Sequence, residues 1–212
     1  MTSGRGRPAR LSCQQIVDAA VAAVEQNPKT SLSIKCVADA VGAAPMALYR
    51  YFEDREALLQ AAADRVLAST QELPLQGDDW PERLAAWMRG SQERLQRYPV
   101  LLPYMTATEH SSSLTALHRL ATILAPARLR PEQLALAITL VGSTVVGHAM
   151  YETRRRPVEE MVAAMTTELA GLPAEAQQVV GPILPHMVPA HARQYDLVIE
   201  QTIVTIRTLT QR

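Results

Sequence analysis

Alanine and leucine return every three or four positions along most of this chain, and runs in which β-branched residues alternate with polar ones are absent. The pattern predicts an all-α protein. Ser12 followed by Gln15 forms a capping box that opens a first helix, with Ile16, Ala19, Ala20 and Ala23 on one face and Asn27-Pro28 at its end. Ser33 caps a second, short helix whose stripe is Ile34, Val37, Ala38 and Val41, and Gly42 breaks it. Pro45 suits the first turn of a third helix, where a missing N–H costs nothing, and Leu48 and Phe52 supply its inward face. Asp54 caps a fourth, along which Leu58, Leu59, Ala62, Val66 and Leu67 run towards Ser69. The connector QELPLQGDDWP then separates an N-terminal domain, residues 1–68, from a larger one, 69–212.

The larger part is more apolar. Asp79 caps a helix through Leu84, Trp87 and Met88; a shorter one holds Leu101, Leu102 and Met105; another spans about 114–124. A long helix starts near Pro131 and ends in the cluster Arg154, Arg155, Arg156, where positive charge complements the helix C-terminus. Further helices are expected over 158–169 and from about 193 to 208, with the proline-rich stretch 171–190 as an irregular or short-helical connection. Leu134 to Met150 contains no charged residue, yet its Thr139, Gly142, Ser143, Thr144, Gly147 and His148 favour a buried core or interface helix over a membrane span.

Composition narrows the classes. With 212 residues, 48% of them hydrophobic, the chain can bury a sizeable core. Its formal net charge is zero, but the charge is unevenly placed. Residues 1–52 hold Arg5, Arg7, Arg10, Lys29, Lys35 and Arg50 against Asp18, Glu25 and Asp39, an excess of three positive charges. Cys13 and Cys36 show neither disulfide-framework nor zinc spacing, which fits a reduced cytoplasm, and no apolar run follows the basic N-terminus as a secretory signal requires. The histidines lack metal spacing, there is no nucleophile elbow, and no glycine-rich loop follows a strand, so neither enzyme nor cofactor is expected.

Two short helices joined by a glycine turn form a helix-turn-helix, in which the second helix enters a DNA major groove. With Leu48 and Phe52 inward, Pro45, Met46, Tyr49 and Arg50 fall on the outer side. The tyrosine hydroxyls and Arg50 are placed for phosphates, Lys35 for a base edge or a phosphate. The arm GRGRPAR carries Arg5, Arg7 and Arg10 at spacings suited to a minor groove or to phosphates.

The run SIKCVADAVGAAPMALYRYFEDREALL, Ser33 to Leu59, resembles the DNA-binding signature of the TetR family of transcriptional regulators. The resemblance extends upstream over IVDAAVAAV and, more loosely, downstream over DDWPERLAAWMRGSQERLQRYPVLLPYM, similar to the opening of a tetracycline-repressor type C-terminal domain. It implies that Ser33 caps the helix before the turn and that Lys35 reads a base. Pro45, Met46 and Ala47 would face the groove, Tyr49 would meet a phosphate, and Tyr51 takes the usual histidine or tyrosine place. Phe52 would plug the core and Arg55 clamp the DNA backbone. The chain departs from the pattern at Ala44 and Ala47, which stand where Ser and Thr are frequent. Two hydroxyls are thereby lost, which leaves base reading to apolar contacts and Lys35.

The resemblance further implies a homodimer that binds a palindromic operator in double-stranded DNA and is released by a small-molecule effector. Its two dimer helices per subunit would be those near 131–153 and 193–209, both richer in apolar surface than a monomer needs to hide. Candidate effector contacts are the polar or aromatic residues within apolar helices: Trp87, Tyr104, Glu109, His118, His148 and Tyr151. The alternative is a helical ligand-binding or protein-interaction module whose DNA binding has degenerated, as Ala44 and Ala47 suggest.

Overall fold

The computed structural model describes residues 11–28, 30–106 and 112–209, and every regular element among them is helical. The chain divides into two compact units. One comprises the described residues of Met1–Glu72 and Arg97–Ala116, the other those of Leu73–Gln96 and Leu117–Arg212.

In the first unit, α1 (Cys13–Gln26) is opened by the capping box: Ser12 Oγ accepts from the Gln15 N–H at 3.2 Å, and the Ser12 N–H donates to Gln15 Oε1 at 2.9 Å. Ile16, Val17, Ala20 and Val24 form its buried face. α2 (Ile34–Ala40) ends in a Schellman motif. The N–H of Ala43 reaches the Ala38 carbonyl at 2.9 Å, and that of Gly42 reaches Asp39 at 3.2 Å. This geometry needs a left-handed residue, and Gly42 has φ +65°.

α3 (Pro45–Leu48) is shorter than the Leu48/Phe52 spacing predicts. The Leu48 carbonyl accepts from both Tyr51 at 2.9 Å and Phe52 at 3.0 Å, so the helix tightens into a turn after one regular cycle. Leu48 and Phe52 are still both buried. Asp54 caps α4 (Arg55–Ser69) through a 2.7 Å bond from the Ala57 N–H, and Leu58, Leu59, Ala62, Ala63 and Val66 are buried along it, packed mainly on α1. A 3-10 segment, Leu102–Thr106, also packs on α4.

In the second unit, α5 (Trp80–Leu95) is capped by Asp79, and α6 (Ser112–Leu124) begins in the first unit and ends in the second. α7 (Pro131–Arg154) is long and apolar enough to cross a membrane by length and composition alone. Here it is a wall of a helical bundle, burying Ala137, Val141, Val145 and Ala149 at four-residue intervals. α8 (Val158–Leu169) and α9 (Ala174–Val180) follow, and α10 is Leu184–Leu209.

Gln133 on α7 donates to the Leu209 carbonyl at 2.7 Å, and His148 on α7 stacks on Tyr195, so α7 and α10 run antiparallel. α10 starts at Leu184, nine residues before the expected start near 193 and inside the stretch expected to be an irregular or short-helical connection. Pro185 lies in its first turn, where its missing N–H has no helical partner, whereas Pro189 forfeits one helical bond. Packing on α5, α7 and α8, with Leu184 buried, outweighs that loss.

Candidate nucleic-acid interface and ligand cavity

The helix-turn-helix is built by local bonding around a small plug. Ser33 Oγ accepts from the Cys36 N–H at 3.2 Å, orienting α2, and Ile34, Val37 and Ala38 bury one side of it. Lys35 is exposed on the other side. Beyond the Gly42 turn, Pro45, Met46, Tyr49 and Arg50 are all exposed, Met46 at 74%, while Ala47 is half-buried. An exposed methionine next to a fully buried leucine shows which face of α3 the core does not claim.

Two of the sequence-predicted residues are also used inside the fold. The Tyr51 hydroxyl donates to the Leu11 carbonyl at 2.6 Å, joining the end of the motif to the start of α1. Arg55 Nε donates to the Leu32 carbonyl at 2.6 Å, Nη2 to Ser31 Oγ at 2.7 Å and Nη1 to Glu56 at 2.7 Å. Its guanidinium thus braces the loop ahead of α2, and its charge is shared with Glu56. Ala44, at the N-cap of α3, makes no side-chain capping bond. Arg5, Arg7 and Arg10 lie outside the described residues.

The ligand candidates do not converge. Trp87 is buried on α5. Tyr104 belongs to the first unit, where its hydroxyl bonds the Glu56 carboxylate. Burial, then the Glu56 contact, raises its pKa. Glu109 lies outside the described residues, and His118 is exposed on α6. Tyr151 is 46% exposed on α7, its ring 6.2 Å from that of His148.

His148 faces a cavity of about 420 Å³ lined by α5, α7, α8 and α10. From α7 come His148 and Glu152, with Arg155 at its C-cap; from α10, His191 and Tyr195; from α5, Gln92; and from α8, Val158 and Glu159. The His148 and Tyr195 rings are stacked, 4.2 Å apart and 10° from parallel. The Tyr195 hydroxyl donates to the Met88 carbonyl at 3.1 Å. Burial pushes its pKa well above the usual tyrosine value, against a smaller opposing effect of Arg89. Arg155 grips Glu152 with both Nε, at 2.8 Å, and Nη2, at 2.6 Å. His148 Nε2 lies 3.9 Å from the same carboxylate. Burial lowers the His148 pKa, with Glu152 opposing and Arg155 adding to the shift.

Sequence reasoning picked out His148 and missed Gln92, Glu152, Arg155, His191 and Tyr195. A signal for most of them existed. His148, Glu152 and Arg155 stand at i, i+4 and i+7, a polar stripe at the end of the run 134–150 that holds no charged residue, and His191 and Tyr195 are four apart on α10.

Along the exposed face of α7, Ala135, Thr139, Ser143, Gly147 and Tyr151 form a stripe of mostly small residues, flanked by Leu136 at 56% exposure. On α10, Leu197 and Val204 are likewise exposed.

Comparison with known proteins places these features in context. Residues 16–62 match the family model of the bacterial regulatory proteins of the tetR family, and residues 73–196 match the model of the tetracyclin repressor-like C-terminal domain. The chain is 27% identical over 167 residues to the HTH-type transcriptional repressor DrrR1 of Streptomyces coeruleorubidus. That match covers 77% of this chain and 62% of the relative, so the chain spans less than two thirds of that relative's length. Among solved structures, the Streptomyces coelicolor TetR family protein ActR in complex with actinorhodin superposes with TM-score 0.78 at 19% identity, over 96% of this chain and 100% of that one. BioQ with its double-stranded DNA operator gives TM-score 0.54 at 20% identity, over 77% and 100%.

Proposed function

The chain belongs to the TetR family of bacterial regulatory proteins, and from that premise we propose that it is a homodimeric transcriptional repressor, binding a palindromic operator and released by a small-molecule effector. In this reading residues 1–68 read DNA, residues 69–212 sense and dimerise, and the protein works in the cytoplasm without cofactor or catalysis. The family is one of DNA-binding regulators rather than enzymes.

The observation that supports the reading best is the outward face of α3. Pro45, Met46, Tyr49 and Arg50 stand free of the core beside the exposed Lys35, on a framework held by the Schellman turn at Gly42. Lys35 and Arg50 supply the charge, Tyr49 a phosphate contact, and Pro45, Met46 and Ala47 an apolar surface for thymine methyls. Tyr51 and Arg55 act chiefly by holding this framework, given their bonds to Leu11, Leu32 and Ser31.

What α7 and α10 leave uncovered supports the dimer. Small residues at 135, 139, 143 and 147, with Leu136, Leu197 and Val204 beside them, suit close packing of two helices from each subunit. Two copies of α3 then read half-sites about 34–36 Å apart, where a single short helix reads too few bases. That ActR is found with actinorhodin and BioQ with its operator supports a ligand and a DNA partner here. Effector binding shifts the dimer towards a spacing that no longer fits the operator, a coupling of about 1–3 kcal/mol in typical cases.

The uncapped Ala44 favours a second reading, a ligand-binding module with degenerate DNA binding. One experiment separates them: selection of duplexes from a random DNA pool by the purified protein, followed by sequencing. Enrichment of a palindrome with half-sites one helical turn apart is the expected result. No enrichment at low salt would overturn the repressor and leave the module.

A further inference from the structure

The cavity between α5, α7, α8 and α10 has an unusual charge balance for a site with so many polar groups. Arg155 and Glu152 are joined by two bonds of 2.8 and 2.6 Å, both side chains are largely buried, and each spends its charge on the other. Glu159 is exposed to solvent and free to remain hydrated. His148, facing Glu152 and Arg155 from its own helix and Tyr195 from α10, is disfavoured as a cation by burial.

Apart from the hydrated Glu159, what remains for a guest is uncharged: the stacked rings of His148 and Tyr195, the amide of Gln92, and the imidazole of His191. The buried Nδ1 of His191 has no partner among the described residues, so no hydrogen bond there holds the ring. Its nitrogens are available to a hydroxyl, which donates and accepts and so suits either imidazole tautomer. The volume of about 420 Å³ lies in the range of roughly 300–1,000 Å³ that small-molecule sites occupy. An anionic guest would lose its hydration here without meeting a free counter-charge, and a cationic one would find only the Glu159 carboxylate, hydrated and screened by solvent; a neutral ring would lose little.

Resting on the reading of the chain as a ligand-responsive regulator, we propose that this cavity is the effector site and selects uncharged aromatic molecules bearing hydroxyl groups over anionic or cationic ones. The Arg155–Glu152 pair sets that selectivity by cancelling itself.

The test uses three probes with one ring system and three charges: 1-naphthol, 1-naphthoate and 1-naphthylmethylammonium. Each is titrated calorimetrically into the full chain near neutral pH without DNA. Naphthol should bind at least about tenfold more tightly than either ion, and Glu152→Gln, which frees the Arg155 charge, should turn the preference towards naphthoate by a similar factor. Arg155→Gln is the converse variant and should favour the ammonium probe; circular dichroism confirms that each variant is folded. Failure of all three probes to bind, a wild-type preference for either ion, or preferences that neither variant changes would overturn the proposal. Naphthol binding with no palindrome in the DNA selection would sink the repressor and leave the site standing. A palindrome without probe binding would do the reverse.

Discussion

The two units solve different problems with the same secondary structure. In the first, the motif helices α2 and α3 are seven and four residues long, Ser33 and Gly42 bound α2 through bonds close in sequence, and Leu48 buries one side of α3, while the exposed surface of α3 is what DNA would meet. In the second, α7 and α10 are 24 and 26 residues long, and α7 buries four residues at regular spacing while leaving Leu136 and a stripe of small residues uncovered. His148, Glu152, Arg155, His191 and Tyr195 from its helices line one cavity. A reader needs a rigid, locally specified shape, whereas a sensor needs a surface left for a partner and a space left for a guest.

The sharpest way to break this comparison is at the plug. Phe52→Ala should destabilise the first unit by about 3–5 kcal/mol and abolish DNA binding. Both tryptophans, Trp80 and Trp87, lie in the second unit, so the tryptophan fluorescence transition in urea should stay in place while helical ellipticity is lost earlier. A fluorescence transition that moves with the ellipticity would show that the units are not separately specified.

Lys35→Ala touches only the exposed face. It should weaken operator binding by about 1–3 kcal/mol, with a flatter salt dependence if the contact is a phosphate, and leave the urea midpoint unchanged. A shifted midpoint would mean that Lys35 serves the fold. Gly42→Ala probes the turn itself. A Cβ there meets nothing within 4 Å, so the cost is conformational, about 1–2 kcal/mol from φ +65°, read in the same urea titration. No loss would mean that the Schellman turn tolerates a side chain and that the motif is less tightly specified than its bonding implies.

The smallest effect belongs to the second unit. The folded state disfavours protonated His148, so the unfolded chain takes up that proton more readily. Stability from this group is complete above its ordinary pKa of 6.5 and falls as the pH drops below it. The melting temperature should therefore decline less in His148→Phe than in the wild type between about pH 7 and about pH 5. Equal declines would place the sensitivity elsewhere in the cavity.

Legibility follows the same division. Ser12 with Gln15, Ser33, Gly42, Pro45, Asp54 and Asp79 announce helix ends because caps and left-handed turns are bonds between residues a few positions apart. The helix-turn-helix and its outward residues could be written down from such signals alone. The sequence did not show that Tyr51 and Arg55 would spend hydrogen bonds on Leu11, Leu32 and Ser31, since those partners lie 40, 23 and 24 positions away.

The start of α10 escaped for a related reason: Pro185 and Pro189 argue locally against a helix, and only packing on three other helices overrules them. The cavity is the clearest case. His148, Glu152 and Arg155 mark one wall by their spacing. Gln92, His191 and Tyr195 join them only because α7 and α10 run antiparallel with α5 alongside. The sequence by itself determined helices, caps and the shape of the reading motif, whose energetics are local. The tertiary structure alone decided which distant side chains share one space and which charges cancel, because those depend on contacts between residues that the chain keeps far apart.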